Sequence, residues 1–98
     1  MPNQFHAVIY EDRLIGTLHA IEREEGVQIG FSILPKYKAL ELDRKALQFL
    51  LKELSGSKCY FDLHHENRHS ISIVESLGFQ KKEQITPSRS RWRMHESH

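Results

Sequence analysis

Four groups of side chains in this 98-residue chain are of types that could do chemistry. His64, His65, Glu66 and His69 lie close together, with Cys59 just upstream. Zinc wants ligands that converge at fixed spacing, such as two histidines a helical turn apart plus a third ligand. Neighbouring His64 and His65 on an extended end point opposite ways, so the reading is a solvated loop and no metal site is assigned. Cys59 opens an apolar stretch with no base at fixed spacing, which fits a buried structural thiol rather than a nucleophile. Arg89, Arg91 and Arg93 alternate with Ser90, Trp92 and Met94. As a strand this gives a basic face beside an aromatic, which suits phosphate and base contacts. An edge strand guarded by charge explains the same pattern. Glu41 and Asp43 open a helical stretch, where acids gain about 0.3–1 kcal/mol against the helix dipole. That reading predicts ordinary helix running back through Glu41.

These groups must be positioned by regular elements. Phe5, Ala7 and Ile9 alternate with His6, Val8 and Tyr10, and Glu11-Asp12 make a turn. Residues 14–21 form a second strand, with Leu14, Gly16, Leu18 and Ala20 on one face and Ile15, Thr17, His19 and Ile21 on the other. Residues 22–26 are a turn, and 27–34 a third strand that Pro35 closes, because proline cannot donate to a ladder. Together these predict an antiparallel meander. Over 38–54 the period changes: Leu42, Ala46, Leu47, Phe49, Leu50 and Leu54 fall on one helical face, and Gly56 ends the helix. Residues 58–63 are a short strand. Asn67 is a candidate N-cap for a second helix whose stripe is Ile71, Val74 and Leu77, stopped by Gly78. The long helical connection between 27 and 63 requires a parallel strand pair. Two tail strands are expected around 80–85 and 90–95 with Pro87 between them, and His95 and His98 are expected to fray. The fold class is α/β: a small mixed, mostly antiparallel sheet with one parallel strand-helix-strand crossover, in a single domain over 1–98.

Composition narrows the function. An apolar share of 39% and a charged share of 28% fit a globular chain. A net charge of +1 gives no general reason to expect nucleic acid or acidic membrane as a partner. One cysteine excludes an internal disulfide and fits a reducing compartment. No apolar run approaches the roughly 20 residues of a membrane span, and the N-terminus lacks a signal-peptide pattern, so a cytoplasmic protein is expected.

Two segments carry a resemblance. Gln28-Ile-Gly-Phe-Ser-Ile-Leu-Pro-Lys-Tyr37 and Asn67-Arg-His-Ser-Ile-Ser-Ile-Val-Glu-Ser-Leu-Gly-Phe79, in this order and separated by one helix and one strand, resemble the cofactor-binding half of the GNAT superfamily of acetyl-CoA-dependent N-acetyltransferases. The resemblance implies that any acetyl-CoA would lie on Ile33, Leu34, Lys38, Asn67 and Ser70. It also exposes departures. The family's pyrophosphate loop carries glycines whose backbone N–H groups meet the phosphates, and these fall here on Ala39, Glu41 and Asp43. A carboxylate sets like charge against phosphate, at a cost of about 1 kcal/mol in water and about 4 near a protein surface for a pair at about 4 Å. The tyrosine that protonates the leaving thiolate in many members falls on Val74, and a glutamate that helps deprotonate the amine falls on Gln28. His19, Glu22 or Tyr37 are the candidates to substitute.

The family's opening helices have no counterpart in this sequence, which implies exposed apolar sheet and a homodimer or protein partner. The expectation is a degenerate GNAT-like domain, with no catalytic residue assigned and no cofactor, that acts as a regulatory or protein-interaction module. One alternative is an acetyl-CoA-dependent N-acetyltransferase with a rebuilt cofactor loop. The other is a nucleic-acid-binding module using the arginine tail, a partner class that the near-neutral charge disfavours.

Overall fold

The structure is a computed structural model that describes residues 3–94. Strand β1 (Gln4–Tyr10) turns through Glu11 and Asp12, both at positive φ, into β2 (Arg13–Arg23). Two central residues at positive φ match the right-handed twist of a tight hairpin. β2 pairs antiparallel with β3 (Gly26–Ile33), as the meander requires. A short 3-10 helix, Pro35–Leu40, leads into α1 (Leu42–Glu53). Then come β4 (Cys59–His64), α2 (Arg68–Ser76), β5 (Phe79–Thr86) and β6 (Arg89–Met94). The six strands form one sheet in the order β1-β2-β3-β4-β6-β5.

Only β3 and β4 are parallel, and their ladder is short. Val27 pairs with Cys59 and Gln28 with Tyr60, after which the two strands separate. Both helices cover one face of the sheet. Leu47, Leu50 and Leu54 of α1 and Ile73 and Val74 of α2 share one buried cluster with Leu18, Ala20, Val27, Ile29, Phe61, Leu63, Phe79 and Trp92. Phe61 packs edge-on against both Phe31 and Phe79. Such aromatic pairs add about 0.5–1.5 kcal/mol beyond their buried area.

Four sequence expectations need correction. The α-helix does not run back through Glu41. Glu41 is its N-cap and sits in the left-handed region at φ 53 and ψ 31. Phe49 is not on the buried stripe but is 68% exposed, because α1 lies over β2 and β3 and leaves that flank uncovered. Leu14 is exposed and Ile15 buried, the reverse of a regular alternation. The cause is a bulge: Val8 pairs with Gly16 and Ile9 with Leu14, leaving Ile15 as an extra residue that shifts the facing. Finally, β6 is not an edge strand. It lies between β4 and β5, so Arg91 is enclosed on both sides. The tail hairpin around Pro87 and the Gly78 stop at φ 97 stand as expected. His95 and His98 lie outside the described residues.

Candidate functional site

Where β3 leaves β4, a cavity of about 220 Å³ opens. It is lined by Phe31, Ser32 and Ile33 of β3, Lys38 and Asp43 beside the start of α1, and Asn67, His69 and Ser70 at the start of α2. Four of the five residues expected at a cofactor converge here: Ile33, Lys38, Asn67 and Ser70. Leu34 does not line the cavity. It is half-exposed at the head of the 3-10 turn, where its carbonyl accepts from Tyr37 N–H.

Local chemistry explains how α2 reaches the cavity. Asn67 caps the helix: its side-chain oxygen accepts the backbone N–H of Ser70 at 3.4 Å. Satisfying that orphan donor fixes the first turn and turns Ser70, which is buried, toward the sheet.

The start of α1 is built differently. Asp43 is 1% exposed. Its Oδ1 accepts the Arg44 backbone N–H at 3.0 Å, and its Oδ2 lies 2.7 Å from His69 Nε2. An ionised carboxylate only accepts, so the imidazole nitrogen is the donor. The bond ties α1 to α2 across the cavity. It also satisfies a charge that would otherwise be costly to bury. Glu41 does not cap the helix with its side chain. Its left-handed backbone is the conformation glycine adopts freely and other residues adopt at a cost of about 1–2 kcal/mol.

The remaining candidates go elsewhere. Gln28 accepts from Arg23 Nε at 3.1 Å. Val74 is fully buried in the core. The His19 ring lies across Gly30, where an added Cβ would meet the imidazole, and Phe5 is 6.3 Å away between ring centroids. Tyr37 packs edge-on against Tyr10. His65 Nε2 and Ser90 Oγ are 2.7 Å apart, and His64 Nδ1 accepts from Glu66 N–H. Among the described residues no three His, Cys, Asp or Glu side chains converge as a metal set. Cys59 is half-buried, and burial pushes its thiol above the ordinary 9.0, which leaves it a poor nucleophile near neutrality.

On the face away from the helices, Arg91 donates to both carboxylate oxygens of Asp62 at 2.7 and 3.0 Å and lies over the Tyr60 ring at 4.2 Å. Arg93 donates to Glu83 Oε1 at 2.8 Å. Two of the three tail arginines are therefore committed to internal carboxylates. The Asp62 fork holds the Arg91 guanidinium more firmly protonated than usual.

Comparison with solved structures gives the architecture a name. A domain from Methanocaldococcus jannaschii superposes with a TM-score of 0.76 at 21% identity, covering 84% of this chain and 56% of that one. A variant of the spermidine N-acetyltransferase of Vibrio cholerae gives 0.76 at 16% identity, over 94% and 64%. The ribosomal-protein-S18-alanine N-acetyltransferase of Escherichia coli gives 0.73 at 14% identity, over 98% and 72%. This chain has the GNAT fold. No protein-family model matches the sequence, and no curated protein matches it significantly. The GNAT likeness therefore rests on shape, and the chain spans little more than half of the archaeal domain and under two thirds of the Vibrio enzyme. No helix among the described residues is long and apolar enough to cross a membrane.

Sequence reasoning missed the Asp43–His69 bond, Phe31 and Ser32 as cavity lining. The bonded pair is 26 residues apart, and no spacing rule links the first turns of two separate helices.

Proposed function

We propose that this GNAT-fold domain has lost acetyl-CoA-dependent transfer and acts through protein contacts, as a regulatory or interaction module. The observation that carries the reading is the buried Asp43 carboxylate at the start of α1. A helix N-terminus is an anion site because its first N–H groups are unpaired. Here an internal carboxylate already accepts one of them and is fixed by His69. A pyrophosphate at this point would meet a negative charge and lose a donor. The cavity, at about 220 Å³, is also below the roughly 300–1,000 Å³ typical of small-molecule pockets. The residues present do not fit acetyl-CoA. Val74 offers no proton and Gln28 no base, so no catalytic step is assigned to them. Calorimetric titration with acetyl-CoA tests the reading. Binding weaker than about 10 μM is expected, and tighter binding overturns it.

One observation favours a second reading, an N-acetyltransferase with a rebuilt loop. The β3–β4 separation persists, and Ile33, Lys38, Asn67 and Ser70 share its cavity. That reading requires thiol release with an amine acceptor, with spermidine and an alanine-bearing peptide of ribosomal protein S18 as first substrates by analogy with the structural neighbours. It also requires loss of that signal in Asn67→Ala.

A further inference from the structure

The two edges of the sheet are built in opposite ways. β5, at one edge, carries Lys81, Lys82 and Glu83, charges that discourage pairing with another chain. β1, at the other, reads Gln-Phe-His-Ala-Val-Ile-Tyr, with no Lys, Arg, Asp, Glu or Pro. Among the described residues nothing pairs with its outer side. Seven residues thus leave alternate backbone donors and acceptors open, with no charge to repel a copy of the same strand.

The side chains around this edge are largely apolar on both faces. Phe5 is 74% exposed, and Ile9 and Leu14 beside it are also exposed, on the face without helices. On the other face a groove of about 330 Å³ runs between β1 and α1, lined by Val8, Leu18, Ala46, Leu50 and exposed Phe49, with His6 and Glu53 also in its lining. β1 is also self-complementary about Ala7. An antiparallel copy centred there sets Phe5 against Ile9 of the second copy, twice, and His6 against Val8. Aromatic against β-branched is a favourable cross-strand pair. The small Ala7 side chain on the axis lets the strands approach. Phe5 and Ile9 on the strand and Leu14 beside it are exposed apolar side chains that such a pairing would cover.

We propose that β1 pairs antiparallel with β1 of a second copy of this chain, joining two six-stranded sheets across a two-fold axis at Ala7. An isologous contact of this kind closes on itself and makes a dimer rather than a fibre. It stands whether or not acetyl-CoA binds.

Sedimentation equilibrium of the chain and of two variants tests it. The wild-type chain is expected at twice the chain mass at micromolar concentration. Ala7→Lys and Ala7→Glu each place like charges opposite one another at the axis, and each is expected to sediment as a monomer with unchanged far-ultraviolet circular dichroism. Mixed in equal amounts, the two variants are expected to recover the dimer, because lysine then faces glutamate. Recovery on mixing separates a broken interface from a broken fold. A monomeric wild type, variants that remain dimeric, or a mixture that stays monomeric overturns the proposal.

Discussion

Asp43 and His69 illustrate what a residue type leaves open. Read along the chain, Asp43 is an acid in a first helical turn and His69 one of a loose histidine group. In the fold they are one bonded unit, and the carboxylate is sealed rather than solvated. Removing the imidazole leaves that carboxylate with a single backbone donor. His69→Ala is therefore expected to destabilise the domain by about 1–3 kcal/mol in urea unfolding, the cost of a buried acceptor that loses its partner. Asn67→Ala removes a long capping bond and is expected to cost about 1 kcal/mol or less. Tyr60 gives a pH signature. Burial, then the Glu25 charge, raises its phenol above the ordinary 10.0. The folded chain thus holds this proton more tightly than the unfolded chain. Its contribution to stability is complete below pH 10.0 and is lost as pH rises through the raised folded value. Urea midpoints are expected to fall across that range, and the fall should be shallower in Tyr60→Phe. Midpoints that hold steady, or that fall equally in the variant, would remove this assignment.

At the scale of elements, the sequence was legible wherever a period was long and unopposed. β2, β3, α2 and the tail hairpin emerge at nearly the expected bounds because hydrophobic alternation, Asn67, Gly78 and Pro87 all agree. It misleads where tertiary geometry decides. Facing in β2 depends on the bulge at Ile15, which has no local sequence mark. The start of α1 depends on the left-handed Glu41, a conformation that propensity argues against. The position of β6 depends on strand order, and this changes the meaning of its arginines. With β4 on one side and β5 on the other, Arg91 is a buried ion-pair partner rather than an exposed basic residue. Asp62→Ala breaks that pair and is expected to cost about 3 kcal/mol in unfolding free energy. Arg91→Ala should cost a similar amount through lost pairing and lost stacking on Tyr60. A loss below about 0.5 kcal/mol in both variants would place the network in the class of surface pairs.

At the scale of the molecule, the chain has the frame of the GNAT fold. The frame is the meander, the single parallel crossover and the separation of β3 from β4, all of which place Lys38, Asn67 and Ser70 around one cavity. The motifs announced that frame because turns, caps and a strand-ending proline leave marks in sequence. They could not announce that a carboxylate held by another helix would lie at the N-terminal end of α1. The most direct measurement is an amide-resolved ¹H–¹⁵N spectrum of the chain titrated with acetyl-CoA. If Asp43 fills that end, the amides of Leu42, Arg44 and Lys45 and those of Asn67 to Ser70 keep their positions up to concentrations well above about 10 μM. Saturable shifts at these amides in the low micromolar range would contradict the account.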